Sequence, residues 1–566
     1  MSEVELKFQV PASRRSAVES AVAGSTPTRR IRLQAAYFDT PSGLLAGAWM
    51  ALRLRKEGRV WVQTLKGALP DGAGMTRAEH NVTRSETGTT VPTINPQLHA
   101  DTPVGAALLK LLHGTKARAE GPLQRVMATD IWRRARTVRV PGGTVELAFD
   151  SGVIEAGPPD APRRAPVCEL EIELKSGQPQ AVVGAAGRWV ARHGLWLDTR
   201  SKAELGHLLW RDLAMAPPRR AGEVTLERSM TPAQALDTVL RSCLEQISVN
   251  ASQTASDVHG PEHVHQLRVG LRRLRTALRF FDGSQLAEAM DAATRAAMAL
   301  DAAELFRQLG AARDQAAVAE PLMLALARAL EAVGQPGEPP RLPVPAEAVD
   351  PTTLVRRVPT QRLLLMLIGR LQASASTPPP APPVRSWTQA LSELNTPLDT
   401  VDAPPELPLR ERLAQRLNRW HRGVLADAQG FDQLDDEGRH RLRKHITRLR
   451  YAAEFSASVF DEAAVRRYLK GLRALQERLG TLNDIAVGIA LYTAAAPNDT
   501  RALFALGWLA SQREAALTAC RPDLKRFIAQ PRFWRGKDDQ ASKGSKAEKG
   551  GKADKRSKAT RAPRAG

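Results

Sequence analysis

Acidic residues occur at every second position in two segments of the chain. Glu3 and Glu5 lie in EVELKF, close to the start. A later segment, CELEIELKSG, carries Glu169, Glu171 and Glu173. Because successive side chains of a β-strand point to opposite faces, each set shares one strand face. Carboxylates held this close need a cation to neutralise them, and hard oxygen ligands favour Mg²⁺ or Mn²⁺. The two segments therefore predict a divalent metal site.

Basic residues follow a similar alternation elsewhere in the first 210 residues. Arg53 and Arg55 share a strand face in ALRLR. Three further basic residues in this part of the chain are Lys66, Arg77 and Arg133. Guanidinium groups bind phosphate oxygens, often through two parallel hydrogen bonds. Together with the acidic faces, these residues supply what triphosphate hydrolysis requires: cations around the phosphates, a divalent metal and an oriented water molecule.

The alternation of charged residues fits two kinds of structure. In a sandwich, the charged faces would be the solvated outer faces of the sheets. In a barrel, they would line an interior tunnel. The opposite signs of the faces favour the tunnel, because carboxylates bind cations while guanidinium groups bind phosphates.

A basic segment occurs twice in the second half of the chain. Residues 265–275 read HQLRVGLRRLR, residues 440–450 read HRLRKHITRLR, and each copy is followed by LGxxxD. Spacings of three and four residues place basic side chains on one helix face, where they repel unless anions lie across them. These residues are His265, Arg268, Arg272 and Arg275 in the first copy and His440, Arg443 and Arg450 in the second. A solvated stripe balanced by nearby carboxylates would explain either helix alone, but the duplication favours binding of a polyanion.

Composition divides the chain into four parts. Residues 1–210 contain short alternating segments separated by turn residues, which predicts a β-rich domain. Residues 211–224 include two adjacent prolines and are predicted to be a linker. Residues 225–534 are rich in Ala, Leu and Arg at helical spacing. Residues 535–566 contain mainly Lys, Gly, Ala and Ser without apolar periodicity, which predicts a disordered basic tail.

The formal net charge of +21 predicts a polyanionic partner, such as nucleic acid, a membrane surface or a phosphate polymer. Sequence-tolerant binding of single-stranded nucleic acid usually adds stacking aromatic residues. Aromatic residues make up only 5% of this chain, which favours a phosphate polymer without excluding nucleic acid. The most apolar run, residues 363–368, is too short to span a bilayer, and three widely spaced cysteines suit a reducing compartment. We therefore expect a cytoplasmic protein with no membrane partner.

The motifs of the first 208 residues follow the order found in a known superfamily. The chain begins with ExExK at residues 3–7 and continues with YFDTP at residues 37–41. ALRLR, TLKG, RAEHNV, ELAFDSG, CELEIELKSG and SKAELG then follow. This series resembles the CYTH superfamily, the triphosphate tunnel metalloenzymes, and most closely the bacterial inorganic triphosphatases that carry a CHAD domain. The duplicated basic segment resembles the CHAD domain itself.

The resemblance implies an α+β N-terminal domain built on an eight-stranded antiparallel tunnel, followed by an all-α domain of duplicated helical bundles. The implied ligands of a metal or of the catalytic water are Glu3, Glu5, Glu146, Asp150, Glu169, Glu171 and Glu173. The implied phosphate-binding residues are Lys7, Arg53, Arg55, Lys66, Arg77, Arg133 and Lys202. Among these sets we expect Glu5, Glu171 and Lys202 to act in catalysis. In the second domain, the basic residues of the repeat are implied to bind polyphosphate.

Three positions depart from the expected patterns. Leu205 stands where many family members have Arg in the last motif, and Asn81 stands where some have a second acid after Glu79. Thr447 occupies the place of Arg272 in the second copy of the repeat. We therefore expect the phosphate contact at residue 205 to be missing, and the second half of the helical domain to bind anions less strongly.

The predicted function is metal-dependent hydrolysis of inorganic tripolyphosphate to pyrophosphate and phosphate, with Mg²⁺ or Mn²⁺ as cofactor. Long-chain polyphosphate is the predicted partner of the helical domain, and association with polyphosphate granules would follow. One alternative is a polyphosphate-binding or targeting protein with minor triphosphatase activity. Another is a tunnel enzyme that acts on thiamine triphosphate or ATP, because the tunnel motifs recognise the triphosphate group and not its substituent.

Overall fold

The computed structural model describes the following residues: 2–25, 28, 30–68, 76–87, 91–158, 160–282, 286, 289–311, 313–334, 338–340, 349–376 and 407–535. Two predicted site residues, Glu3 and Arg77, have side chains outside this description. The predicted disordered tail, from residue 536 onward, also lies outside the described residues.

Nine strands form one antiparallel sheet in the N-terminal region. They are β1 (Ser2–Gln9), β2 (Arg30–Asp39), β3 (Met50–Glu57), β4 (Val60–Ala68), β5 (Thr76–Thr87), β6 (Gln124–Val140), β7 (Gly143–Ala156), β8 (Arg163–Gly177) and β9 (Trp196–Leu197). The order is β5-β4-β3-β2-β6-β7-β8-β1-β9, and β1 also pairs with β5. This additional pairing joins the first eight strands into a ring, which confirms the predicted antiparallel tunnel. The two-residue strand β9 shares the edge of β1 with β5.

The strand pattern separates a charged inner face from an apolar outer face. On β1, the inward residues Glu5 and Lys7 alternate with Leu6 and Phe8, which are buried on the other side. The outer face packs against helix α5 through its small residues, including Ala186. The solvated-sandwich alternative is therefore wrong, because the face opposite the charges is the one that meets a helix.

Six helices accompany the strands: α1 (Arg15–Ala23), α2 (Leu44–Gly47), α3 (Pro103–Leu112), α4 (Thr115–Glu120), α5 (Pro179–His193) and α6 (Lys202–Trp210). Helix α6 begins with a capping box in which Ser201 and Glu204 satisfy each other's backbone N–H groups. Its residues Leu205 and Leu209 pack against the apolar cluster around Met127. Helix α6 thus closes one end of the tunnel, and Leu205 serves this packing where other members have Arg.

The region after residue 225 is helical. Its helices are α7 (Pro232–Ala255), α8 (Pro261–Phe280), α9 (Ala292–Ala311), α10 (Arg313–Ala332), α11 (Pro351–Arg356), α12 (Val358–Ser376), α13 (Leu409–Gln429), α14 (Asp436–Phe455), α15 (Glu462–Ala495) and α16 (Ala502–Ala529). The two basic segments lie on α8 and α14, which contact each other. The predicted all-α second region is therefore confirmed.

The two regions share one apolar core. Helix α5 packs against the outer face of the sheet and also against α12 of the helical region, and α7 contacts strand β9. Within the segment predicted to be a linker, Ala216 O accepts a hydrogen bond from His263 at 2.8 Å, and Arg219 O accepts one from Asn250 at 2.8 Å. This segment therefore lies against the helical region, and the domain boundaries at residues 210 and 225 remain a prediction.

Among the described residues, every helix is too short or too polar to cross a membrane.

Candidate functional site

Three carboxylates meet on one wall of the tunnel. Asp150 of β7 lies opposite Glu169 of β8 in the strand register, and Glu171 follows two residues later on the same face. Each of the three offers an oxygen within 4.8 Å of the others. Asp150 and Glu169 are only 1% exposed, so their charges are removed from water and need partners.

Cationic side chains neutralise this carboxylate cluster. Arg133 of β6 donates two hydrogen bonds of 2.7 Å to Asp150 and also contacts Glu171. Lys202 Nζ lies 2.8 Å from both Asp150 and Glu171 and contacts Glu169 as well. Three carboxylates thus share Lys202 and Arg133, with Lys7 3.4 Å from Glu169.

The mutual contacts keep these groups charged despite their burial. Burial disfavours the ionised form of Glu171, but Arg133 and Lys202 outweigh it and hold the pKa of this carboxyl well below its usual value. Burial also acts against the ammonium of Lys202, yet the three carboxylates raise its pKa well above the usual value. Glu171 and Lys202 therefore both carry their charges near neutral pH.

A second cluster of opposite sign lies on the strands across the tunnel. Arg53 of β3 lies 3.8 Å from Glu79 and donates a hydrogen bond of 3.4 Å to the Tyr37 hydroxyl. Lys66 pairs with Glu79 on the adjacent strand. Arg55 lies two residues beyond Arg53 on the same face, and burial together with Arg53 lowers the pKa of Arg55. Arg55 also pairs with Glu57, so three cations face two carboxylates here and this wall keeps an excess positive charge.

The two clusters face a common interior. The guanidinium of Arg53 interacts electrostatically with that of Arg133, and Lys66 interacts with Glu171 across the tunnel. Asn81 stands where some family members have a second acid, and its uncharged side chain cannot form an ion pair. The side-chain oxygen of Asn81 accepts a 2.7 Å hydrogen bond from the Thr64 hydroxyl. A polyphosphate chain lying between the walls would meet carboxylates with their cations on one side and Arg53, Arg55 and Lys66 on the other.

Three other predicted metal ligands lie nearer the opposite end of the tunnel from α6. In the strand register Glu5 lies opposite Glu173, and Glu173 lies opposite Glu146. Lys175 contacts Glu173 at 2.8 Å and Glu146 at 3.3 Å. Four residues of strand separate Glu173 from Glu169, a distance of about 13 Å. Glu5, Glu146 and Glu173 therefore form a second acidic group further along the tunnel, and their role as metal ligands stays a prediction.

The carboxylate cluster fits a hard divalent cation. Its donors are oxygen atoms only, as Mg²⁺ and Mn²⁺ prefer, and their positive neighbours balance the charge. Asp150, Glu169 and Glu171 are the residues that would hold such an ion. Because Lys202 shares the same oxygens, the ion and the ammonium group compete for them.

Sequence reasoning missed a group of residues beside the cluster. Gln9 donates hydrogen bonds to Asp198 at 3.0 Å and to Glu169 at 3.5 Å. Asp198 also accepts two hydrogen bonds from the Arg200 guanidinium, at 2.9 and 2.8 Å. Gln9 continues the inward alternation of Glu5 and Lys7, and this signal could have revealed it. Asp198 and Arg200 lie in a short connection without periodicity and carry no such signal.

The helical region holds a second cluster of cations, near the place where α8 meets α14. Arg268, Arg272 and Arg275 place their guanidinium carbons 5.1, 5.5 and 5.3 Å from the centre of the Phe306 ring on α9. Burial, followed by repulsion from Arg279 and Arg272, lowers the pKa of Arg275. The aromatic ring supports several like charges at once through cation–π contacts.

The second repeat contributes one arginine to this cluster. Burial, followed by repulsion from Arg279 and Arg275, lowers the pKa of Arg448 on α14 to about 10. Within the described part of the chain, Arg272, Arg275, Arg279 and Arg448 form no ion pair with a carboxylate. We call these four residues the arginine seam.

The predicted anion-binding residues of the second repeat have other contacts. Arg450 donates hydrogen bonds of 2.7 Å to Gln476 and to Glu454. His440 donates a 2.7 Å hydrogen bond to Asn483, and burial lowers its pKa. Arg443 lies on the same helix, half-buried, and His265 of the first repeat is exposed. The helix of the first repeat therefore supplies three of the four seam arginines, and the helix of the second repeat supplies one.

Comparisons with known proteins agree with both halves of this structure. The family model of the CYTH domain matches residues 1–204, and that of the CHAD domain matches residues 238–493. An inorganic triphosphatase of Haemophilus influenzae is 30% identical over 175 residues, which are 31% of this chain and 44% of that protein. The chain thus matches less than half the length of that relative.

Two solved structures resemble parts of the chain. The CHAD domain from the plant Ricinus communis is 27% identical, with a TM-score of 0.39, and the match covers 55% of this chain and 97% of that one. A putative adenylyl cyclase from Hippeastrum, described as having a dominant triphosphatase activity, is 16% identical with a TM-score of 0.26. That match covers 38% of this chain and 98% of the Hippeastrum protein. Scores this low add nothing to the functional argument.

The tunnel, its charged interior and the family matches define the class: a protein with an N-terminal triphosphate-tunnel fold and a C-terminal helical region. The chain carries a CYTH domain followed by a CHAD domain. The resemblance drawn from the motifs is therefore confirmed.

Proposed function

We propose that the tunnel hydrolyses inorganic tripolyphosphate to pyrophosphate and phosphate with the help of a divalent cation. The observation that carries this proposal is the pairing of two opposed walls. One wall brings Asp150, Glu169 and Glu171 within reach of a single ion, and the other carries excess positive charge. The 30% identity to an inorganic triphosphatase supports this choice of substrate over thiamine triphosphate or ATP.

Each wall has a distinct role in the proposed reaction. A bound Mg²⁺ or Mn²⁺ would withdraw electron density from the phosphate oxygens and orient the phosphates. Arg53, Arg55 and Lys66 bind the non-bridging oxygens of the chain, where excess positive charge is available. Glu171 orients the water that attacks the terminal phosphorus, and Lys202 stabilises negative charge that develops on the oxygen of the departing pyrophosphate.

The test is phosphate release from tripolyphosphate by the purified full-length chain, with Mg²⁺, with Mn²⁺ and with EDTA. We expect hydrolysis only with a divalent cation. Glu171→Gln should lower kcat by about a hundredfold or more, because removing one oriented group commonly costs roughly 3 kcal/mol of transition-state stabilisation. Full activity in EDTA would overturn the proposal.

A matched control separates this effect from general damage to the strands. Glu155 lies on β7 and pairs with Arg164 at 2.8 Å on the outside of the tunnel. Glu155→Gln removes the same charge from a neighbouring strand and should leave kcat near the wild-type value. Equal loss of activity in both variants would contradict the role of Glu171.

We also propose that the helical region binds long-chain polyphosphate along the arginine seam. Four guanidinium groups without carboxylate partners repel one another, and a chain of phosphates would relieve that repulsion. Every phosphate of such a chain carries charge, and the chain needs no stacking surface. This fits the seam, because arginines already cover the Phe306 ring. A cytoplasmic protein that associates with polyphosphate granules is the corresponding expectation.

A further inference from the structure

The chain between α5 and α6 lies along one side of the active-site strand β1. Strand β9 pairs with β1, and the Asp198 N–H donates a 3.0 Å hydrogen bond to Lys7 O. On the far side of this connection the described part of the chain contains no further strand. The backbone groups there are satisfied by two side chains of the helical region.

These two side chains are Ser252 of α7 and Gln361 of α12. The Leu197 N–H donates to Gln361 Oε1 at 2.8 Å, and the Thr199 N–H donates to Ser252 Oγ at 3.0 Å. Ser252 Oγ in turn donates to Leu197 O at 3.3 Å. The exposed fractions of Ser252 and Gln361 are 1% and 0%, so water cannot replace these contacts.

Both side chains are held in orientation by more than one hydrogen bond. Gln361 Nε2 donates a 2.8 Å hydrogen bond to Val355 O, which directs its oxygen toward Leu197. Ser252 contacts Thr199 through both the backbone N–H and the hydroxyl, the latter at 3.2 Å. Arg356 adds a cation–π contact of 5.4 Å to Trp196 at the start of β9.

The connection leads directly into the carboxylate cluster. The ammonium of Lys7 donates to Arg200 O, and Lys202 follows two residues later with its ammonium among the three carboxylates. A shift of residues 197–199 would therefore move the backbone partner of Lys7 and the first residue of α6 together. Misplacement of catalytic groups by about 1 Å can reduce a rate a hundredfold.

We infer that Ser252 and Gln361 are positioning residues of the helical region for Lys7 and Lys202 in the tunnel. The expected loss of activity rests on the proposed triphosphatase function. The positioning itself rests on the hydrogen bonds alone. It makes the helical region part of the active-site framework in addition to its proposed role in binding polyphosphate.

The kinetic test uses the full-length chain with Ser252→Ala and Gln361→Met, each of which removes the hydrogen bonds while keeping similar volume. We expect kcat for tripolyphosphate to fall by about ten- to a hundredfold, because the affected groups act in the transition state. KM should stay near the wild-type value, and the melting temperature should fall by only a few degrees, because a buried backbone group left without its partner costs about 1–3 kcal/mol. Ser252→Thr retains a hydroxyl and should restore most of the lost kcat.

Ser248→Ala is the matched control. Ser248 lies one turn earlier on α7 and is buried, with 7% exposure. Among the described contacts it forms no hydrogen bond with the 196–201 connection. It should keep wild-type kcat. Unchanged kcat in both Ser252→Ala and Gln361→Met, or loss that follows the melting temperature in all three variants, would overturn the inference.

Hydrogen–deuterium exchange provides a readout that is independent of substrate. In Ser252→Ala and Gln361→Met, peptides covering residues 3–10 and 195–205 should exchange faster than in wild type and in Ser248→Ala. Exchange that stays at wild-type rates in these peptides would show that the contacts do not position the connection. If wild type fails to hydrolyse tripolyphosphate, the proposed function is wrong, while the exchange rates still decide the positioning role.

Discussion

At the scale of single residues, one substitution between the repeats controls the balance of charge in the helical region. Arg279 of α8 corresponds to Glu454 of α14, since each lies fourteen positions after the first histidine of its repeat. Glu454 contacts Arg450 at 2.7 Å and Arg473 at 3.3 Å. The acid therefore neutralises arginines in the second repeat, whereas Arg279 adds to the charge of the first.

Removal of this acid should strengthen anion binding. Glu454→Gln keeps a hydrogen-bond acceptor for Arg450 but removes the negative charge. We expect affinity for long-chain polyphosphate to rise by about two- to fivefold, the range that a partly exposed ion pair of roughly 0.4–1 kcal/mol provides. Isothermal titration calorimetry near physiological salt would measure the change.

The control for this prediction is another acid on a helix of the same region. Glu462 on α15 pairs with Arg466 at the surface, and both side chains are highly exposed. Glu462→Gln removes the same charge without touching Arg450. An equal rise in affinity for both variants would mean that net charge, and not the local pairing at Glu454, determines binding.

Residues whose positions follow the strand period were predictable, and residues held by tertiary contacts were not. The alternation of residues predicted that Glu169 and Glu171 share one strand face and that Arg53 and Arg55 share another. It could not show that Asp198 and Arg200 would lie beside the carboxylate cluster, because they belong to a short connection without periodicity. The roles of the predicted residues in catalysis stay predictions.

At the scale of elements, helix α6 connects the catalytic cluster to the apolar end of the tunnel. Its first residue, Lys202, reaches the carboxylates, and its later residues pack on the cluster around Met127. A Cβ on Gly206 would lie 1.9 Å from Met127 Sδ, so any side chain at this position would force the buried Met127 side chain to move. The position of Lys202 depends on this close approach.

Gly206→Ala should therefore destabilise the tunnel and disturb Lys202. Overpacking of a buried contact costs about 1–3 kcal/mol, which thermal unfolding would detect as a lower melting temperature. Gly187→Ala in α5 is the matched control, because a Cβ there meets no atom within 4 Å. That change should be neutral or stabilise by up to about 1 kcal/mol. A melting temperature for Gly206→Ala at or above that of Gly187→Ala would contradict the packing argument.

The long elements were predictable from periodicity, and the short ones were not. Residues 225–534, with Ala, Leu and Arg at helical spacing, were predicted to be helical and contain long helices such as Pro232–Ala255 and Glu462–Ala495. Strand β9 has only two residues, too few to show a period, and it forms because β1 offers a free edge beyond its pairing with β5. The departure at Leu205 had a packing cause that only the folded tunnel reveals.

At the scale of the whole molecule, the net charge of +21 raises the question of how much binding is generic. Residues 536–566 contain ten basic and four acidic residues, so they add positive charge outside the seam. Deletion of residues 536–566 should weaken polyphosphate binding at low salt and reduce the salt dependence, since each neutralised phosphate releases counterions, as in nucleic-acid binding. The preference for polyphosphate should remain.

Competition near physiological salt would measure that preference. Immobilised long-chain polyphosphate is challenged with single-stranded DNA, RNA or heparin at matched charge concentration. The truncated chain should still favour polyphosphate, whereas substitution of Arg272, Arg275 and Arg279 by Ala should abolish the preference even with the tail present. Equal competition by RNA against the wild type would instead support the nucleic-acid alternative.

Composition separated a β-rich part from a helical part, but it could not reveal how they meet. The predicted linker suggested two independent units. In the structure, Gly369 of α12 lets α5 approach closely: a Cβ on Gly369 would lie 3.3 Å from Val183. Such complementarity between distant segments leaves no periodic signal in either one, so the shared core became visible only in the folded chain.

The closure of the tunnel by α6 restricts how a polymer could be degraded there. A long phosphate chain cannot be threaded through a passage that is shut at one end by Leu205 and Leu209. Only a free terminus, or a molecule short enough to enter whole, can reach the carboxylate cluster, and both products must leave by the opening through which the substrate came. Cleavage in the middle of a long chain is thereby disfavoured, and any polymer held by the helical region would be shortened from its ends.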